Sequence, residues 1–329
     1  MRLGWSVFLK ITMRRFFFKE AHADGFTLVE LLVVMAVVGI LAVMLLPAIA
    51  GTKPNSQAFQ CLENQRTLML GCQMYAADNT DLLPPNDYGW KTTYASAGAA
   101  AQAKMKNWVV GSMIEAQDAG DAPANQAGKV SELLDPNTLL SPYVTIRTVY
   151  HCPADNYVDP YAGNRVHVRS YSMNSAVGTI FSSSSAMGGS DPRPLGSPVQ
   201  GGWLLGRNYQ GGQITYLTYG KMTSFNRPGP ANTWVFMDEN PLTINDSSMA
   251  TSAVGTPGGT YLIDFPAGNH NGATGISFAD GHVVIHKWQD KRTYDATVIP
   301  HGSGGQGQFT QSPDNPDCFY LAPITSALR

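Results

Sequence analysis

Between residues 26 and 49 the chain carries one formal charge, Glu30, in an otherwise apolar run with no polar face. As a helix rising ~1.5 Å per residue, this run would span ~36 Å. That is enough to cross a ~30 Å hydrocarbon core. A helix apolar all round predicts a membrane segment rather than one packed on a soluble core. Ala36, Gly39 and Ala42 fall on turns that would let helices approach closely. Pro47 lacks an N–H and predicts a kink. The Gly-Thr-Lys-Pro-Asn-Ser stretch at 51–56 predicts a break.

A second helical pattern follows. Ala58, Cys61, Leu62, Gln65, Leu68, Met69, Cys72, Tyr75 and Ala76 step by threes and fours, while Gln60, Glu63, Asn64 and Arg66 sit opposite. Asp78-Asn79 and the Leu-Pro-Pro at 83–85 end the pattern. This predicts an amphipathic helix lying on a β layer. Strand-like runs cover 143–150, 166–173, 213–219, 233–237, 275–279 and 282–288. Segments 95–104, 117–128, 182–200 and 245–259 are rich in Ala, Gly, Ser or Pro and read as loops. The predicted class is α+β: a long N-terminal helix, an amphipathic continuation, and a small antiparallel sheet with long loops.

Asp280-Gly281 suits a two-residue type I′ hairpin turn. That turn would pair Ala279 with His282, Phe278 with Val283, and Ile276 with Ile285, placing Ile276, Phe278, Val283 and Ile285 on one apolar face. His282 and His286 would lie on the other face, ~13 Å apart and too far to share a metal ion. His270 reads as a turn or buried hydrogen-bonding residue.

The net charge is -2 over 329 residues, with 14% charged and 43% apolar. That excludes a disordered chain and offers no basic footprint for nucleic acid. The charge is uneven: Arg2, Lys10, Arg14, Arg15 and Lys19 precede the apolar run, and the remainder is net acidic. A basic leader suits an N-terminus that stays cytoplasmic while the body crosses a membrane. Cys61 and Cys72 lie ~16 Å apart on one helix and cannot pair. Pairing of either with Cys152 or Cys318 stays open in an exported, oxidising setting.

A secretory signal is cut after a short apolar region, and Ala48-Ile49-Ala50 would serve as such a site. The run here is too long for that scheme, and a plain anchor leaves Glu30 unexplained. Gly25-Phe26-Thr27-Leu28-Val29-Glu30 resembles the cleavage and methylation motif of type IV prepilins and type II secretion pseudopilins. The resemblance implies cleavage after Gly25 by prepilin peptidase and methylation of Phe26. It also gives Glu30 and Pro47 roles in assembly, with Glu30 meeting the amine of Phe26 on a neighbouring subunit. A carboxylate in a membrane segment costs ~2.5–3.5 kcal/mol on insertion scales, so a partner is expected. The implied divisions are a leader at 1–25, a transmembrane and assembly helix at 26–50, an amphipathic helix at 51–80 and a globular head at 81–329. The implied partners are like subunits, the peptidase, the inner-membrane assembly platform and lipid, with the head extracytoplasmic.

His270, nine residues, then Asp280-Gly281 is similar to the processing-associated motif of pilin-like proteins with large heads. His151-Cys152-Pro153-Ala154-Asp155 and Arg169-Ser170-Tyr171-Ser172-Met173-Asn174 look like other pieces of that family. The function expected is structural: a subunit of a secretion pseudopilus or pilus-like fibre. Asp238, Glu239, Asp246, His270 and Asp280 match no catalytic spacing, so no enzyme is expected. Asp238, Glu239 and Asp246 are weak candidates for a metal, calcium being the ion that suits such oxygens. The alternative is an adhesin or sugar-binding module on a pilin stem, with Trp90, Trp108, Trp203 and Trp288 as its platform.

Overall fold

The computed structural model describes residues 26–86, 106–109, 113, 138–159, 165–180, 193–206, 215–299 and 310–329; the side chains of 42–56 are outside that description. The leader with Gly25, Trp90 and the loops expected at 95–104 and 117–128 lie outside the described residues. The chain forms two compact units, Met1–Gly51 and Thr52–Arg329.

Helix α1 (Leu28–Asp78) is continuous through 51–56, where a break was expected. Gly and Pro propensities are local priors, and helix formers on both sides override them. In the first unit every residue from Phe26 to Leu41 is exposed. Among the described residues no helix is long and apolar enough to cross a membrane; the described apolar side chains end at Leu41, short of the ~20 residues a span needs.

In the second unit α1 buries the predicted stripe: Cys61, Gln65, Leu68, Met69, Cys72 and Ala76. Asn64, expected on the polar side, is also buried, because its amide donates to the His151 carbonyl at 3.0 Å. The helix ends as predicted. Thr80 turns left-handed (φ 54°) and Asp81 N donates to the Ala76 carbonyl at 2.9 Å, closing the last turn.

Against this stripe lies a five-stranded sheet. Nine short strands are described: β1 (Val158–Asp159), β2 (Arg165–Val166), β3 (Tyr171–Asn174), β4 (Trp234–Asp238), β5 (Ser248–Met249), β6 (Tyr261–Leu262), β7 (Ala273–Phe278), β8 (Val283–Lys287) and β9 (Thr310–Gln311). The main sheet runs β5-β3-β4-β7-β8. It is mixed rather than wholly antiparallel, because β5 pairs parallel to β3. That edge strand sits inside a segment read as loop from its Ser and Gly content.

One sheet face meets α1: Tyr171, Met173 and Phe236 pack with Cys61, Leu68, Met69 and Cys72. The other face carries Trp234, Met237, Met249, Ile276 and Phe278, packed with Leu321 of the C-terminal helix. Two further helices are described here, α2 (Lys291–Tyr294) and α3 (Pro316–Thr325). The sheet is therefore covered on both faces, and strands β3, β4 and β7 are buried throughout.

The β7–β8 hairpin exists, but its register differs by one residue from the predicted one. Ser277 pairs with Val283, Ile276 with Val284 and Gly275 with Ile285. Gly281 alone of the turn pair has positive φ (+93°), and its N–H donates to the Phe278 carbonyl at 2.9 Å. That is a three-residue connection with a glycine bulge, not a type I′ turn. A one-residue slip swaps faces, so Val284 joins the Ile276 cluster while Ile285 is exposed. The 143–150 run is not a strand: it ends in a 3-10 turn, Arg147–Tyr150. Of 213–219, the described residues make isolated bridges only.

Candidate functional site

At the start of α1, Thr27 and Glu30 hold each other. Thr27 N donates to Glu30 Oε2 at 2.8 Å and Thr27 Oγ1 to the same oxygen at 2.7 Å. Glu30 N donates back to Thr27 Oγ1 at 3.2 Å. This is a reciprocal capping box, which satisfies N–H groups that a helix start leaves orphaned. Its Thr-x-x-Glu signature is legible in the sequence, where the same Glu30 also fits a role between subunits. Phe26 lies one residue outside the box and is exposed. Pro47 lies within α1.

The head contains a second constellation, at the interface of α1 and the sheet. Tyr171 and Asp238 are register partners in β3 and β4, and both point at α1. The Cys61 thiol donates to Asp238 Oδ2 at 3.2 Å. The Tyr171 hydroxyl donates to Cys61 Sγ at 3.5 Å, and the Gln65 amide donates to it at 3.8 Å. Cys152 Sγ lies 3.3 Å from His270 Nε2, and that nitrogen is 3.7 Å from Asp238 Oδ2. The ligating atoms of Cys61, Cys152, Asp238 and His270 all lie within 4.8 Å of one another, and all four residues are buried.

The sequence fits this geometry locally. Gly275 of β7 faces the helix, and a Cβ there would meet Gln65 Nε2 at 2.5 Å and Cys61 Sγ at 3.0 Å. His270 is held by a tight loop through Asn271 (φ 58°) and Gly272 (φ 76°) that leads into β7. Cys152 follows the 3-10 turn, its N–H donating to Ser170 Oγ at 3.1 Å.

Burial alone would lower the His270 pKa, but hydrogen bonding to Asp238 and to Cys152 overcomes this and pushes it up to about 10. Burial pushes the Cys61 thiol well above its ordinary value. The hydrogen bond from Cys61 holds Cys152 below its ordinary value, making it the more acidic thiol.

The arrangement is not a nucleophilic relay. In such a relay the nucleophile and the orienting carboxylate engage opposite ring nitrogens. Here Cys152 and Asp238 converge on one nitrogen, and His270 Nδ1 has no partner among the described residues.

Asp238 stands apart from the other two oxygen candidates, Glu239 and Asp246, which lie near enough for charge repulsion between them. Asp238 faces α1, whereas Glu239 Oε1 accepts from Thr243 Oγ1 at 2.9 Å on the other side of the strand. Asp246 Oδ1 accepts from Ser248 N at 2.7 Å, which orders the start of β5. Burial pushes Glu239 up to about 8. Asp280 Oδ1 accepts from His282 N at 3.1 Å and meets His282 Nδ1 at 2.6 Å, a local turn contact. His286 stacks on Tyr320 at 3.7 Å. Trp108, Trp203 and Trp288 are buried, so these three form no exposed sugar platform; aromatic residues in a packed sheet serve the core.

With this geometry established, comparison with known proteins adds one match: the family of the prokaryotic N-terminal methylation motif covers residues 21–46. The match supports a prepilin-like N-terminus over those residues. Its N-terminus is of the kind that prepilin peptidase processes, with pilin-like subunits as partners in general and a membrane anchor implied. The match ends at residue 46, well before the segment 270–281. No curated protein matches the chain, and no solved structure matches it.

Proposed function

We propose that this protein is a structural, non-enzymatic pilin-like subunit of a secretion pseudopilus or pilus-type fibre. It is cut between Gly25 and Phe26, methylated on Phe26, anchored in the inner membrane by the helix that follows, and carries its head on the extracytoplasmic side. The observation that supports this reading is the unbroken exposure of 26–41 within the segment that matches the methylation motif: Phe26, Leu28, Leu32, Met35 and Ile40 are each more than half exposed. An apolar surface of that extent has to be covered, by lipid or by like helices.

The pairing of Glu30 with a neighbour's Phe26 amine belongs to the same reading. Unlike charges ~4 Å apart attract by ~4 kcal/mol at an effective dielectric of ~20, which is enough to select one axial register.

N-terminal sequencing with mass spectrometry of the membrane-extracted protein tests it. The expected terminus is N-methylated Phe26. A water-soluble product beginning beyond Ala50 overturns it.

A further inference from the structure

We infer that Cys61, Cys152, Asp238 and His270 form a closed tetrahedral site for a thiophilic divalent cation, Zn2+ by the chemistry of its ligands, which clamps α1 to the sheet. Four donors converge from four separate stretches of chain: α1, the loop after Arg147–Tyr150, the end of β4 and the loop before β7.

A tetrahedral zinc holding sulfur at ~2.3 Å and nitrogen or oxygen at ~2.0 Å keeps its ligands ~3.3–3.8 Å apart. Three edges of this cluster measure 3.2 Å (Cys61 to Asp238), 3.3 Å (Cys152 to His270) and 3.7 Å (His270 to Asp238). Two sulfurs, an imidazole and one carboxylate oxygen select zinc over calcium or magnesium, which take oxygen. All four residues are buried, leaving no open position, so the site is structural rather than catalytic. The surrounding shell also fits. The Tyr171 hydroxyl, the Gln65 amide and the Gly275 N–H aim donors at Cys61 Sγ or Asp238 Oδ2. Such donors support an anionic ligand set.

A Cys61–Cys152 disulfide is the competing outcome in an oxidising compartment. It would use two of the four groups and leave Asp238 and His270 buried together without a role.

Processing at Gly25 plays no part in forming this site, so metal content and fibre formation are read out independently. The test uses detergent-extracted full-length protein purified without chelator. Elemental analysis is expected to find about one zinc per chain. Chelation should lower the thermal unfolding temperature, and zinc alone should restore it. Cobalt substitution should produce a thiolate-to-metal charge-transfer band and tetrahedral ligand-field bands in the visible. Cys61→Ser and Cys152→Ser should weaken the charge-transfer band, while Cys72→Ser and Cys318→Ser, which change buried thiols outside the site, should keep it. Where the ligand variants fail to fold, the native-protein measurements decide. Absence of bound metal that zinc addition does not reverse, an octahedral cobalt spectrum, or a Cys61–Cys152 disulfide in protein extracted with its thiols blocked would each overturn the inference.

Discussion

Cys152 Sγ lies 3.3 Å from His270 Nε2, although 118 residues separate the two in sequence. The contact joins two segments that sequence reading had singled out separately, around 151–155 and 270–281. It does so on the helix side of the sheet rather than at the hairpin turn. At the Asp-Gly end of the second segment Asp280 engages the neighbouring His282, and the segment's His end reaches the buried cluster.

The first prediction separates the two roles open to Glu30. Glu30→Gln keeps the capping box, since a glutamine at this position still reaches the Thr27 N–H, but removes the charge. If charge pairing between subunits matters, Glu30→Gln and Glu30→Leu should both cut fibre assembly more than tenfold while membrane insertion is unchanged. Thr27→Ala, which weakens only the cap at about 1 kcal/mol, should assemble. Normal assembly of Glu30→Gln beside failure of Glu30→Leu would assign the residue to capping instead. Fibre yield against membrane-fraction abundance is the measurement.

Gly275 lets β7 pass close to α1. Gly275→Ala pushes a methyl group to 2.5 Å from Gln65 Nε2 and 3.0 Å from Cys61 Sγ. Overpacking of this kind costs about 1–3 kcal/mol. Chemical denaturation of the purified protein should show a lower midpoint with an unchanged slope; an unchanged midpoint would mean the interface has slack.

Asn174 is a buried hub. Its amide donates to the Trp234 carbonyl at 2.9 Å and to the Thr325 carbonyl at 3.0 Å, and its oxygen accepts from Ala176 N at 2.9 Å. Asn174→Asp keeps the shape but faces a carboxylate against two carbonyls. Each buried group left unpaired costs about 1–3 kcal/mol. The variant should melt well below the parent, with the C-terminal helix α3 losing amide-exchange protection first because one of the lost partners lies in it.

Asp264 sets a pH dependence. It is fully buried, and burial followed by repulsion from Glu239 raises its pKa well above the ordinary carboxylate value. The folded state holds this proton more tightly than the unfolded chain does. Its contribution to stability is therefore complete below about pH 4 and is lost as pH rises toward the raised value, with a limiting slope of about 1.4 kcal/mol per pH unit. Asp264→Asn can keep the acceptor for Ala250 N while removing the titration. Thermal melts taken upward from about pH 4 should fall for the parent and be flatter for the variant; equal slopes would remove Asp264 as the cause.

Some of this was readable from the chain because its cause is local. The 3.6-residue spacing along 58–76 named the face of α1 that is buried, since a helix face depends on a few neighbouring residues. β4, β7 and β8 were legible from their β-branched and aromatic content. The hairpin register was not, because Asp-Gly serves both a two-residue turn and a glycine bulge, and the choice between them shifts every partner by one. Parallel strand β5 hid in a Ser- and Gly-containing segment because its pairing partner, β3, is distant in sequence. The capping box was visible as Thr-x-x-Glu but competed with a second meaning of the same glutamate.

By itself the sequence determined the N-terminal signature, the apolar run behind it and the amphipathic stripe, because each rests on side chains within a few residues of one another. Only the tertiary structure decided that Cys61, Cys152, Asp238 and His270 share one buried site. Their spacings in sequence carry no motif, and nothing short of packing α1 against β3, β4 and β7 brings the four donors within reach of a single ion.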